Sequence, residues 1–286
     1  MNFESEVICS RQNRTVVETA KLTDRKAREQ MKKFRFDGIK LLEEALKKGL
    51  ELEAVLIRQS SKERVLNTIS AFCEEASRHH VGRTVILSDE VFDKISEEKS
   101  PEGVICVAKY IDKFQKIVTI YNSAEISEMR EERIVLLESV RDPSNVGAII
   151  RSASAMGVDR LILSADCADI YHPRAVRASM GTLFSQRIDR TDRLTEIIGA
   201  LRESGRRVFA AALDPKAIRL GSFEADPRDC VVIGNEGHGL SEETVAACGQ
   251  TVFIPMREGT ESFNASVAAA ILMWEFAARE RREGNT

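Results

Sequence analysis

The chain has 286 residues, 43% of them apolar and 30% charged, with a formal net charge of −3. That balance excludes a disordered polymer, and no apolar run reaches membrane-spanning length, so one large or two ordinary globular domains are expected. The first 22 residues are polar and hold no signal-peptide core. Six cysteines, Cys9, Cys73, Cys106, Cys167, Cys230 and Cys248, are scattered without a C-x-x-C pair, and the four histidines have no ligand spacing. A cytoplasmic chain with reduced thiols, no metal and no membrane partner is therefore expected.

In chain order, residues 21–40, KLTDRKAREQMKKFRFDGIK, come first. They carry eight Lys or Arg against three Asp or Glu, an excess the whole chain lacks. A basic helix of this kind can bind a phosphate backbone, or it can be a solvated helix face. Lys26, Arg28, Lys32 and Lys33 are its candidate nucleic-acid contacts. Ile39, Leu42 and Leu46 have helical spacing, and Gly49 ends that helix. LEAVLIR reads as a strand, ERVLNTISAFCEEASRH as a helix, TVILS as a strand, DEVFDKIS as a short helix, and SPEGVICVAKY as a turn and strand. Residues 112–131 break the pattern and read as a linker between a first domain, 1–111, and a second, 132–286.

The second half alternates. RIVLLESV is a strand, VGAIIRSASAMG a helix and DRLILS a strand. Helices follow at 174–184 and 192–205, then strands RVFAAAL, CVVIG and TVFIPM. The last helix places Phe263, Val267, Ile271, Trp274 and Ala278 on one face. Alternating strands and helices predict an α/β fold with a parallel sheet, whose ligands gather at the carboxyl ends of strands.

Three loops lie at such ends. RDPSNVGAIIRSA, 141–153, holds Asn145, expected to cap its helix, and Arg151 on the second turn. VVIGNEGHGLSEE, 231–243, holds Gly234, Asn235, Glu236 and Gly237. REGTESFNASVAAA, 257–270, follows Ile254 and places Ser262, Phe263 and Asn264 at the start of the last helix. Glycine turns between strand and helix usually cradle phosphate, but Glu236 would repel one there. Singly, each feature reads as a cap, a turn or a surface charge.

Together, N-x-G-A-I-I-R-S-A, I-G-N-E-G-x-G-L, and I-P-M with S-F-N-x-S-V-A-A-A-I resemble, in order, the three motifs of the SpoU family of RNA ribose methyltransferases in the SPOUT superfamily. HPRAVRASMGTLF, 172–184, is similar to the stretch between the first two motifs. The resemblance covers 133–278, and the first domain is similar to a substrate-binding domain found in many members. It implies an S-adenosylmethionine-dependent 2′-O-methyltransferase acting on structured RNA, ribosomal in preference to transfer RNA. It further implies a parallel-sheet SPOUT domain with a C-terminal trefoil knot behind a smaller (L30e-like) α/β RNA-binding domain, working as a homodimer. The cofactor carries a sulfonium and no phosphate, which accounts for Glu236. By the same resemblance Gly234, Asn235, Gly237, Ile254 and Phe263 contact cofactor, and Asn145, Arg151, Glu236, Ser262 and Asn264 form the catalytic set. Phe263 stands where the family usually has Leu. A guanidinium ordinarily stays protonated, so Arg151 is read as a phosphate clamp and not as a general base. A non-catalytic RNA-binding factor on the same fold is the second reading. A dinucleotide-dependent oxidoreductase is disfavoured, because GNEGHG comes late in the chain and does not match G-x-G-x-x-G.

Overall fold

A computed structural model of the chain describes residues 2–76, 81–112, 115–226, 228–235, 237–257, 259 and 262–277. Two units divide the chain: Met1–Ile111 with Asp169–Ser185, and Asp112–Ala168 with Gln186–Thr286.

The first unit carries β1 (Asn2–Ile8), α1 (Arg14–Lys21), α2 (Arg25–Met31), β2 (Lys33–Asp37), α3 (Ile39–Lys47), β3 (Leu52–Arg58), α4 (Lys62–Ala76), β4 (Val81–Leu87), α5 (Asp89–Ile95) and β5 (Val104–Lys109). Its sheet runs β1-β4-β3-β5-β2. Strands β1, β4 and β3 pair in parallel, and β5 is antiparallel to β3 and β2. Leu56, Val85, Leu87 and Ile105 pack beneath Val16 and Phe92. Burying each such side chain contributes on the order of 1.5–3 kcal/mol.

The basic stretch is not one helix. Lys32 takes φ +53°, which closes α2, and KFRFD continues as a strand. Strand alternation then sends Phe34 and Phe36 to one face, against Tyr171 and Phe184, and Arg35 to the other. Arg35 is buried and forks onto Asp37 at 2.7 and 2.8 Å.

In chain order the second unit has β6 (Gln115–Ile117), α6 (Ser123–Glu128), β7 (Ile134–Leu137), α7 (Pro143–Ala155) and β8 (Arg160–Ser164). After the excursion through α8 (Pro173–Ser179), which belongs to the first unit, it resumes with β9 (Arg187–Thr191), α9 (Leu194–Glu203), β10 (Val208–Ala211), β11 (Ile218–Arg219) and β12 (Cys230–Ile233). It ends with α10 (Glu242–Cys248), β13 (Gly249–Phe253) and α11 (Ala265–Phe276). The sheet order is β11-β13-β10-β12-β7-β8-β9-β6, parallel at every pairing. The expected parallel sheet is thus present, and all four residues of β7 are buried, as a centrally placed parallel strand requires.

Several elements depart from the pattern reading. The stretch expected as a linker holds packed elements: β6 pairs with β9, Met129 enters the core, and buried Tyr121 donates to Asp189 at 2.6 Å. Their apolar residues are too sparse to show a period. Strand β9, RIDRT, occupies the gap between two expected helices. Its polar look hides a buried Asp189 that also pairs with Arg160 at 2.5 Å. The helix expected over 174–184 stops at Ser179, because Met180 (φ +50°) and Gly181 (φ +84°) turn the chain left-handed.

The last helix departs most. Its buried residues are Ala265, Ala269, Leu272, Met273 and Phe276. Of the face expected from the sequence, Val267 and Trp274 are 45% and 56% exposed and Phe263 precedes the helix. Ala278 lies outside the described residues.

Candidate functional site

Parallel pairing places the carboxyl ends of β7, β12 and β13 on one edge of the second sheet, where the three loops begin. The first leaves β7 and enters α7. Asp142, not Asn145, caps that helix: its carboxylate accepts from the N–H groups of Ser144 (2.6 Å) and Asn145 (3.2 Å), with Pro143 at the first helical position. Proline there gives up a donor the helix start would not use. The cap being taken, Asn145 turns its side chain elsewhere. Its Oδ1 accepts from Asn264 Nδ2 at 3.0 Å.

Asn264 is the N-cap of α11, and Ser262 is not. Asn264 Oδ1 accepts from Ser266 N–H (3.0 Å), Val267 N–H (3.4 Å) and Ser266 Oγ (2.6 Å), which leaves its amide to donate to Asn145. Helices α7 and α11 pack on each other. The Asn145–Asn264 bond therefore joins two helix N-termini, whose dipoles favour a negative group in front of them. Arg151 lies exposed on the third turn of α7, and Gly147 is buried on the second, one turn before it. Ser262 and Phe263 are exposed just before α11.

The glycine loop leaves β12. Gly234 admits no side chain: an added Cβ would stand 2.5 Å from the Gly239 carbonyl and 2.7 Å from Leu240 N. Asn235 and Gly239 close the loop with reciprocal backbone bonds of 3.0 and 2.9 Å, and Gly239 takes φ +68°. Asn235 Oδ1 accepts from Gly237 N–H (2.8 Å) and His238 N–H (3.2 Å). The N–H groups of Asn235, Gly237, His238 and Gly239 are thus consumed inside the loop and not offered to a phosphate. Residues 234–240 also contain no Lys or Arg. What remains suits an uncharged or cationic ligand: a cradle floored by glycine, with half-buried Ile254 immediately after β13. S-adenosylmethionine, an adenosine bearing a sulfonium, fits that chemistry, and a pyrophosphate does not. Glu236 lies outside the described residues.

Sequence reasoning missed the residues beneath the loops. Glu138, just past β7, accepts from Ser241 N–H (2.8 Å), Ser241 Oγ (2.9 Å) and Thr244 Oγ1 (2.6 Å), and so holds the end of the glycine loop. Ser139 accepts from Asn235 Nδ2 at 2.8 Å through its carbonyl. The cap at Asp142 was readable from Asp-Pro before an apolar run; Glu138 and Ser139 had no comparable signal.

The basic candidates separate. Lys26 and Lys32 are exposed, with the Lys32 ammonium 5.7 Å from the centre of the Tyr110 ring. Lys33 is half-buried against Glu53 at 2.6 Å. Arg28 is 1% exposed and cannot meet a ligand: it donates to Asp169 at 2.7 and 3.0 Å and to the carbonyls of Leu22 and Thr23. Helical spacing could not foretell a partner 141 residues away.

Buried thiols take no part in the site. Burial pushes the Cys230 thiol up to about 11 and the Cys248 thiol up to about 12. Among the described residues no group of three or more His, Cys, Asp or Glu could hold a metal ion, and no helix is long and apolar enough to cross a membrane.

Residues 132–274 match the SpoU rRNA Methylase family model, and residues 13–106 match the MRM3-like substrate binding domain. The chain is 25% identical to the 23S rRNA (guanosine(2553)-2′-O)-methyltransferase RlmP of Bacillus subtilis, over 93% of this chain and 96% of that one. It is 29% identical to the 23S rRNA (uridine(2479)-2′-O)-methyltransferase of Streptomyces viridochromogenes, over 98% and 94%. The crystal structure of an AdoMet-bound rRNA methyltransferase from Sinorhizobium meliloti superposes with a TM-score of 0.77 at 25% identity, covering 96% of this chain and 98% of that one.

Proposed function

The chain belongs to the SpoU rRNA Methylase family, and from that premise we propose that it transfers a methyl group from S-adenosylmethionine to a ribose 2′-hydroxyl of ribosomal RNA. The observation that carries this reading is the junction of the three loops. Asn145 of the first is bonded to Asn264 of the third, and Asn235 of the second is anchored beside the first. When bound, the cofactor supplies a methyl group on a positively charged sulfur, ready for in-line displacement. The chain's own work is to align an acceptor oxygen with it and to assist removal of the hydroxyl proton.

The roles are those the family resemblance implies. Gly234 and Ile254 offer main-chain groups to the cofactor, Asn235 and Gly237 shape the loop around it, and Phe263 covers it. Arg151 clamps the phosphate beside the target ribose, where a cation polarises the hydroxyl. Asn145 and Asn264 hold that ribose, and Glu236 and Ser262 complete the polar set. Lys26 and Lys32 contribute phosphate contacts from the first unit.

The partner is a second copy of the chain. Helix α11 is apolar nearly all round, a pattern typical of a helix buried on every side. Here Val267 and Trp274 remain exposed, and a dimer through that face buries them. The C-terminal knot is part of the same reading: the chain leaves β13 and returns to lay α11 against α7 and β12. A ribosomal substrate places the enzyme in the cytoplasm.

The test is methyl transfer from tritiated cofactor to unmodified ribosomal RNA and, separately, transfer RNA. Label should enter ribosomal RNA as a 2′-O-methylnucleoside. Single-turnover transfer should fall roughly 10²-fold or more in Arg151→Ala, the loss typical of a removed electrostatic group, and less in Arg151→Lys. Label in transfer RNA alone would move the substrate, and no label in either would favour a non-catalytic binding protein.

A further inference from the structure

Ser139 has φ +55°, a left-handed conformation that a residue with a Cβ adopts only at a cost. Three hydrogen bonds hold it there. Its N–H donates to Ser164 Oγ at 2.9 Å, its Oγ donates to Asp166 Oδ2 at 2.5 Å, and its carbonyl accepts from Asn235 Nδ2 at 2.8 Å. Asp166 is the hub beneath. Its Oδ1 accepts from Ser164 Oγ at 2.6 Å, and Arg141 lies 3.5 Å from its Oδ2. The left-handed turn points the Ser139 carbonyl at Asn235. An extended residue would rotate that carbonyl away and release the Asn235 amide that anchors the glycine loop.

We propose that Asp166, acting through Ser139, is a positioning residue for the cofactor loop: it holds Ser139 left-handed so that its carbonyl anchors Asn235 and, with it, the closure between Asn235 and Gly239. Neither Ser139 nor Asp166 touches cofactor in this scheme. The proposal rests on the reading that this loop holds S-adenosylmethionine, but its first test needs no cofactor.

Amide hydrogen exchange in the cofactor-free full-length protein reads the loop directly. Asp166→Ala should speed exchange at Asn235 and Gly239, whose reciprocal bonds close the loop, and leave the first unit unchanged. Titration calorimetry with S-adenosylhomocysteine should show affinity reduced roughly tenfold, the loss of a hydrogen-bonded charged group. Asp166→Asn, which keeps the volume, should show the same changes at smaller size and serves if the alanine variant does not fold. The decisive arm is Ser139→Gly, because glycine takes a positive φ without help. In that background Asp166→Ala should add less than about a twofold loss, since the conformation no longer needs Asp166. An undiminished tenfold loss there, or unchanged loop exchange in Asp166→Ala, would overturn the proposal. Failure of the wild-type protein to bind S-adenosylhomocysteine would instead overturn the cofactor reading, and the exchange arm would still decide the role of Asp166.

Discussion

The basic stretch at 21–40 and the loops at the edge of the second sheet both look functional in the sequence, and they fare differently in three dimensions. In the stretch, charge is the signal, and folding consumes much of it. Arg28 and Arg35 are buried in ion pairs and Lys33 faces Glu53, while Lys26 and Lys32 remain exposed. In the loops, glycines, caps and amides are the signal, and folding brings them together. A count of charges says nothing of where each side chain points. A residue that fits one backbone conformation carries its geometry with it.

The largest effect that could break this comparison is at Arg28. Arg28→Leu leaves Asp169, 9% exposed, without its cation, and should destabilise the first unit by about 3–5 kcal/mol, read from urea unfolding. In the folded variant the salt dependence of RNA binding should stay as it was. Lys26→Glu with Lys32→Glu should do the opposite: near-native stability, with the slope of log affinity against log salt reduced by roughly 0.7–0.9 for each phosphate no longer neutralised. A changed salt slope in Arg28→Leu would return that residue to the binding surface.

A smaller effect sharpens the other side. Gly234→Ala drives a methyl group into the Gly239 carbonyl and should weaken S-adenosylhomocysteine binding roughly 10- to 100-fold, as overpacking against backbone does. Gly237→Ala meets nothing nearer than 3.5 Å and should cost little. Equal losses at the two positions would mean that the cradle is not set by close approach at Gly234.

The smallest effect is a pH dependence beneath the loops. Burial pushes the Asp166 carboxyl up, but hydrogen bonds from Ser139 and Ser164, with Arg141 nearby, outweigh it and hold it below the ordinary carboxylate range. A lowered folded value stabilises the protein above the ordinary Asp value of about 3.9, and that contribution is lost as pH falls through the folded value. The stability gap between wild type and Asp166→Asn should therefore be widest above about pH 4 and close below it. Urea midpoints at about pH 3, 5 and 7 would reveal a gap of constant width, were the carboxylate charge irrelevant.

How much was legible follows the same division. The central strands were readable because a parallel strand buried on both faces must be apolar, as β7 and β12 are. Helices α3, α5 and α9 were readable from their apolar spacing. Strand β9 was not, since its buried member Asp189 is charged and is satisfied by Tyr121 and Arg160. Nor was β2, whose Arg35 extends a run of basic residues that suits a helix equally well. The motif residues were read by resemblance, and one cap was misplaced. Asp142 takes the cap given to Asn145, whereas Asn264, expected at the start of the last helix, does cap it. The error is informative, because Asn145 and Asn264 can meet only once Asp142 relieves Asn145 of capping. Val267 and Trp274 do share an apolar side of α11, but periodicity does not say whether such a side meets the core or another chain.

The membership of Asp169–Ser185 in the first unit sets a timetable for synthesis. A domain complete by residue 111 could fold as soon as that residue cleared the ribosome. This one is incomplete at that point, because the carboxylate that neutralises Arg28 and the rings of Tyr171 and Phe184 that cover Phe34 and Phe36 are made later. Until then the nascent chain carries an unpaired guanidinium and an open aromatic face. The first unit is thus finished only after β7, α7 and β8 have been translated, and a cut after Ile111 yields a fragment missing its own lid.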